Sequence, residues 1–139
     1  MPTFAKQITN NQIVIGAMVA HADSKLPGNE YSAIVDTGSQ KTMVSSKVIE
    51  DISLPQAGHT GIKGVTGVVE YVPKYKARVD IPVIVGSDNT GSQMIMASGD
   101  KIEVVAMLQD LGEFDVLLGM DFLTRFHITM HQNAFILSI

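Results

Sequence analysis

Residues 33–40, A-I-V-D-T-G-S-Q, place an acidic side chain directly after a run of apolar residues. Asp is rarely buried unless a partner neutralises it or a reaction uses it. Gly38 permits a sharp turn and a close approach to a ligand, and the hydroxyl groups of Thr37 and Ser39 can hydrogen-bond a neighbouring carboxylate. An ordinary turn after a strand can have the same Asp-Thr-Gly sequence. These residues alone therefore leave two interpretations open, a simple turn or a reactive carboxylate at Asp36.

A second stretch, residues 114–123, reads F-D-V-L-L-G-M-D-F-L. This stretch contains an apolar strand that ends in Gly and follows D-T-G-S by roughly eighty residues. That combination resembles the second motif of the retroviral-type (retropepsin-type) aspartic proteases. Residues 33–39 match the first motif of that family and residues 116–119 match the second. The sequence G-M-D-F-L at residues 119–123 is most similar to that of the cellular and bacterial single-domain members. The resemblance covers nearly the whole chain.

The resemblance implies an all-β fold, a retropepsin-like closed β-barrel with a flap hairpin and one short helix after the second motif. A chain of 139 residues with 45% apolar and 17% charged residues also suits one folded domain spanning residues 1–139. The family's flap lies between the two motifs, and we expect its tip at Gly64, Val65, Thr66 and Gly67. An ordinary surface hairpin is the alternative there.

The family's chemistry gives Asp36 the role of catalytic carboxylate. Two such groups close together share one proton, and the pair activates a water molecule against a peptide carbonyl. No other Asp in the chain is followed by Thr-Gly or Ser-Gly. The resemblance therefore implies a homodimer in which Asp36 of one copy faces Asp36 of the other across a two-fold axis.

Three further residues are expected to support the loop that carries Asp36. Thr37 would hydrogen-bond across the two-fold axis to the opposite loop. Gly38 would let the substrate approach, and its amide would support the carboxylate. Ser39, where the viral enzymes usually have alanine, adds a hydroxyl group that could donate a hydrogen bond to the ionised carboxylate.

The second motif and the end of the chain supply the remaining expectations. Leu117, Leu118 and Gly119 would border the substrate cleft. Asp121 would have a structural role on a short helix, bonded to the backbone. The apolar strand at residues 134–139 is expected to pair with a second copy, because an unpaired apolar edge is a liability; an ordinary sheet partner within its own chain is the alternative.

Apolar runs, alternation and turn residues predict the other elements. Residues 12–20 and 31–35 are expected to form a hairpin that delivers Asp36, and residues 46–52 a short helix. Residues 71–85 read as extended chain, with Pro73 and Pro82 indicating an edge or a break. Further strands are expected at 93–97 and 101–107, joined by a turn at 98–100, and at 115–118, 127–130 and 134–139, with a helix at 121–126.

Composition excludes several other functions. The net charge of −4 and the pI near 5.4 argue against a nucleic-acid partner, and the absence of cysteine removes thiol chemistry and Cys-based zinc sites. The His127/His131 spacing lies in apparent strand and turn, which disfavours a metal site. We expect a cytoplasmic peptidase with no cofactor and no membrane partner, acting on peptide or protein substrates. Two alternatives stay open: an inactive protease-like dimerisation or peptide-binding module, and a zymogen-like form with a closed flap.

Overall fold

A computed structural model describes residues 3–64, 66–87 and 91–138 of the chain. In those residues it has ten strands and two short helices. Their bounds are β1 Thr3–Gln7, β2 Val14–His21, β3 Asn29–Val35, β4 Met43–Val44, α1 Ser46–Ile52, β5 Gln56–Lys63, β6 Val69–Ser87, β7 Gly91–Ala106, β8 Val116–Leu118, α2 Met120–Leu123, β9 His127–His131 and β10 Ala134–Ser138.

Seven strands form one sheet in the order β2-β3-β8-β4-β7-β6-β5. An additional antiparallel pairing between β2 and β6 closes six of them into a barrel, and closure removes the open edges that an extended sheet would expose. Strand β5 pairs only with β6 in the described part of the sheet and forms a hairpin outside the barrel. The all-β fold predicted from the sequence, with a closed barrel, a hairpin and a short helix after the second motif, is confirmed.

Alternating side chains of the barrel strands fill a single core. In β2, the inward positions Ile15, Ala17 and Val19 are buried while their neighbours are more exposed, as the two-residue period of a strand requires. Both helices contribute to the same core, α1 through Val48 and α2 through Phe122, and both of these side chains are fully buried. No helix in the described residues is long and apolar enough to cross a membrane.

The predicted hairpin of β2 and β3 exists, and its connecting turn is held by Arg78 of β6. The guanidinium donates to the backbone carbonyls of Ser24 and Leu26 and forms an ion pair of 2.9 Å with the buried Asp80. Gly28 lies so close to β2 that a Cβ atom there would be 2.2 Å from the carbonyl oxygen of Val19. These contacts fix the start of β3, the strand that leads to Asp36.

The prediction of two strands joined by a turn at residues 98–100 is wrong, because β7 is one continuous strand. The pairing of β6 with β7 changes register there: Arg78 lies opposite Lys101, whereas Asp80 lies opposite Ser98. Two residues of β7 thus face one residue of β6, which is a β-bulge. Gly and Asp are typical of turns, but they also suit a bulge, so local sequence does not distinguish the two.

Both prolines of β6 lie where that strand pairs on one side in the described sheet. Pro73 is opposite His59 of β5, before the ladder with β7 begins. Pro82 is opposite β7, beyond the ladder with β2 that ends at Asp80. A missing amide donor is tolerated at such positions, so the prolines mark local edges although β6 as a whole is central.

A separate three-stranded sheet has the order β1-β10-β9. The prediction that the terminal strand pairs with a second copy is wrong for this arrangement, since β10 is the middle strand with partners from its own chain on both sides. Phe135 and Leu137 point into the core and are fully buried. The strand is apolar because it is internal, and β1 and β9 form the edges of this sheet.

Candidate active site

Asp36 lies at the end of β3, where two neighbouring segments hold its backbone. Val35 is in parallel register with Leu118 of β8, and the Asp36 amide donates to the Leu118 carbonyl at 3.0 Å. The Asp36 carbonyl accepts from the Ser39 amide at 3.2 Å, which closes a turn. The strand therefore places a half-buried carboxylate at a fixed point on the barrel rim.

One oxygen of the Asp36 carboxylate is oriented by its own loop. The Gly38 amide donates to Asp36 Oδ1 at 2.9 Å, an arrangement in which Asp caps the turn that follows it. Thr37 and Gly38 are exposed on the outer surface of this loop. The loop thus presents a pre-oriented carboxylate together with a free surface in the single chain.

The predicted role of the Ser39 hydroxyl is wrong in this structure. That hydroxyl donates to the Lys41 carbonyl at 2.8 Å rather than to the Asp36 carboxylate. Its bond closes the second half of the loop. Ser39 therefore stabilises the path of the backbone and does not act on the carboxylate.

Gly119, at the junction of β8 and α2, crosses directly over the backbone of this loop. A Cβ atom at Gly119 would lie 2.4 Å from the Lys41 carbonyl oxygen, which no side chain allows. The next residue, Met120, donates its amide to the Ser39 carbonyl at 2.8 Å. The Gly of the second motif thus permits the close contact that locks the two motifs together.

Thr42 is a buried polar residue that the sequence analysis missed, and it joins the two motifs through its side chain. Its hydroxyl donates to Asp121 Oδ1 at 2.7 Å and accepts from the Gly119 amide at 3.1 Å. Asp121 was expected to bond to the backbone, but this contact is with a side chain. The only signal in the sequence is a lone hydroxyl residue between Lys41 and the apolar Met43.

We expect Thr42→Val to lower the free energy of unfolding by about 2 kcal/mol, because it leaves the Gly119 amide without its buried acceptor and Asp121 without a donor. Urea denaturation followed by circular dichroism measures the change. Thr42→Ser, which keeps the hydroxyl group, is the matched control and should lose much less. Equal losses in the two variants would show that the methyl group, not the hydrogen bonds, stabilises this junction.

A cleft of about 610 Å³ opens above Asp36. Its walls include Met43 of β4 and Leu117 of β8, and its far side is formed by Ile62 and Gly64 at the end of β5. Among the described residues that line it, Asp36 is the only carboxylate. The cleft therefore brings one acid, the loop backbone and the end of the hairpin around a shared space.

The two leucines of the second motif have different environments. Leu117 lines the cleft, whereas the Leu118 side chain is fully buried in the barrel core. Successive side chains of a strand point to opposite faces, so the expectation that both border the cleft is wrong for Leu118. Its contribution to the site is its carbonyl group, which accepts from the Asp36 amide.

The hairpin of β5 and β6 turns at the residues expected to form the flap tip. The Gly64 amide donates to the Val68 carbonyl at 3.2 Å, and the Gly67 amide donates to the Gly64 carbonyl at 3.0 Å. Gly67 has φ +81°, a conformation that favours glycine. Thr66 is exposed in this turn, and Val65 lies outside the described residues.

The described residues hold no group of three or more His, Cys, Asp or Glu side chains that could bind a metal ion. The described residues with polar side chains that line the cleft are Asp36, Ser39, Gln40, Lys41 and Lys63, and Asp36 is the only acid among them. A single carboxylate can bind a water molecule, but the acid and base steps of amide hydrolysis need a second proton-transferring group.

This protein combines a closed barrel, an Asp-Thr-Gly loop and a hairpin that lies over that loop. These three features together define the retropepsin-like class of aspartic proteases. A crystal structure of a retropepsin-like aspartic protease from Rickettsia conorii matches with a TM-score of 0.58 and 16% sequence identity, over 97% of this chain and 89% of that chain. The family model "gag-polyprotein putative aspartyl protease" matches residues 22–125, and the chain belongs to that family. No curated protein sequence shows significant similarity to it.

Proposed function

We propose that this protein is an aspartic endopeptidase that is active as a homodimer. It hydrolyses peptide bonds through a water molecule held between the Asp36 carboxylates of two chains. The observation that carries the proposal is the cleft itself: a loop-held Asp36 is its only carboxylate among the described lining residues, and a glycine-containing hairpin lies across it.

In the proposed reaction, one Asp36 carboxylate is ionised and its partner is protonated, because two like charges at short range cannot both persist. The ionised group takes a proton from water as the water oxygen attacks the carbonyl carbon. The protonated group donates to the carbonyl oxygen. Proton transfer to the leaving amine then breaks the C–N bond. The Gly38 amide keeps the carboxylate oriented throughout.

The second copy would meet the first at the exposed side of the catalytic loop. Thr37 and Gly38 are exposed in the single chain, and we assign the Thr37 hydroxyl to a hydrogen bond with the opposite loop. Because β10 already has two partners in its own chain, strand pairing between copies would use the edge strands β1 or β9. This replaces the terminal-strand contact expected from the sequence.

The hairpin of β5 and β6 would close over a bound peptide. Its end contributes Ile62 and Gly64 to the cleft, and both Gly64 and Thr66 of its turn are exposed. Closure over substrate excludes water and completes the reaction environment. An extended peptide fits such a site because the free edge of β5, which pairs only with β6 in the described sheet, can pair with its backbone.

Dilution provides the test of this proposal. A cleavable peptide is first found with a peptide library, and initial rates are then measured over a wide range of protein concentration. Since each chain supplies one Asp36, specific activity should fall on dilution with the same midpoint as the dimer-to-monomer transition in sedimentation velocity. Constant specific activity from a protein that sediments as a monomer would overturn the proposal.

A further inference from the structure

A second pocket of about 470 Å³ lies beside the active-site cleft, on the outer surface of the barrel. Four of its lining residues are basic and all four are exposed: Lys41, Lys76, Lys101 and Arg125. Two acidic residues, Glu103 and Asp121, also line it. The pocket is therefore a local concentration of positive charge on a chain whose net charge is −4.

Strand register explains why two of these cations, Lys76 and Lys101, lie close together. Lys76 of β6 lies opposite Glu103 of β7, and Lys101 is two residues earlier on the same strand. Positions 101 and 103 share the outer face, while Ile102 between them is buried. The pocket thus rests on a rigid barrel wall rather than on a loose loop.

Both carboxylates of the pocket already have partners. Glu103 forms an ion pair of 3.0 Å with Lys74, which lies outside the pocket, and Asp121 accepts the buried Thr42 hydroxyl. The Lys74 hydrogen bond lowers the pKa of Glu103, and the charges of Lys41 and Lys76 lower it further. Lys101 forms an ion pair of 2.6 Å with Asp23, which lies outside the pocket. The cations that remain to act on an anion are therefore Lys41 and Lys76, whose charges already reach Glu103 and which form no salt bridge with the described acidic residues.

Lys41 connects the pocket to the active site, because it lines both this pocket and the cleft that holds Asp36. A peptide chain leaving the cleft beside Lys41 would enter the basic pocket directly. We propose that this pocket binds an acidic segment, rich in Asp or Glu, that adjoins the cleaved sequence of the protein substrate. The proposal rests on the proposed function and adds a substrate class to it.

Binding is tested without catalysis, in the Asp36→Asn protein. The probe is a short fluorescein-labelled peptide carrying consecutive Glu residues, compared with the same peptide carrying Gln, and fluorescence anisotropy reports the affinity. We expect the Glu peptide to bind on the order of fivefold more tightly, with the preference lost at high salt. Adding Lys76→Glu should abolish the preference. Lys47→Glu, an equal charge change at an exposed residue of α1 outside the pocket, should preserve it.

Cleavage gives the second test. A cleavable peptide is extended with either Glu or Gln residues, and kcat/KM is compared for the parent protein and Lys76→Gln. The parent should favour the Glu extension, and Lys76→Gln should lower the ratio of kcat/KM for the Glu peptide to kcat/KM for the Gln peptide, whereas Lys47→Gln should preserve that ratio. Cleavage without a charge preference, or an equal loss of preference in the matched control Lys47→Gln, would overturn the acidic-segment proposal alone. Charge-selective binding by a protein that cleaves no peptide would overturn the proposed function while supporting the pocket.

Discussion

The Asp36→Asn variant is expected to lose peptide cleavage by at least about 10³-fold in kcat/KM, since an amide can neither take a proton from water nor donate one to a carbonyl as a carboxylic acid does. Asn has nearly the same size as Asp, and its Oδ1 can still accept from the Gly38 amide at the 2.9 Å position. The fold should therefore stay intact. Thermal unfolding and sedimentation velocity serve as the controls, and both should match the parent.

Mixing the variant with the parent protein tests whether both chains of the dimer must supply a carboxylate. Each mixed dimer would contain a single carboxylate, so excess Asp36→Asn protein should reduce the activity of a fixed amount of parent protein as subunits exchange. A folded control protein without this surface should have no effect. Full turnover by Asp36→Asn would contradict the proposed chemistry. Peptide binding and dimerisation without cleavage in the parent would instead identify an inactive module.

The elements that sequence predicted well are those set by local pattern. The alternation of β2 places Ile15, Ala17 and Val19 in the core, with Val14, Gly16 and Met18 between them more exposed, and the helix expected at residues 46–52 is α1. The two motifs are short and lie next to strong apolar strands, so the position of Asp36 at the end of β3 follows from sequence. In each case neighbouring residues carry the information.

The parts that sequence missed depend on contacts between distant segments. Thr42 and Asp121 are 79 residues apart, and nothing near either residue indicates their hydrogen bond. The Ser39 error is an exception and a local one: its hydroxyl donates to the Lys41 carbonyl two residues away, and a serine in a turn can bond either a nearby carboxylate or a nearby carbonyl. The apolar β10 has the pattern of any buried strand, so pattern alone could not tell an internal partner from a second copy.

The two motifs can cross closely because residue 119 is glycine, which has no side chain. This glycine has φ −94° and ψ −176°, an extended conformation open to any residue, so its backbone does not explain its presence. The explanation is space: a Cβ atom would lie 2.4 Å from the Lys41 carbonyl oxygen and 2.5 Å from its carbon. Backbone atoms cannot rotate away as the end of a flexible side chain can.

We therefore expect Gly119→Ala to lower the free energy of unfolding by about 3 kcal/mol or more, as overpacking against a fixed backbone does. Relief of the clash would separate β8 from the catalytic loop and weaken the Gly119–Thr42 hydrogen bond, so the remaining folded protein should also cleave peptides poorly. Urea denaturation measures the loss. Gly64→Ala is the matched control, because a Cβ atom there meets nothing within 4 Å, and its stability should change by less than about 0.5 kcal/mol. Parent-like stability of Gly119→Ala would mean that the loop and the second motif do not cross at contact distance.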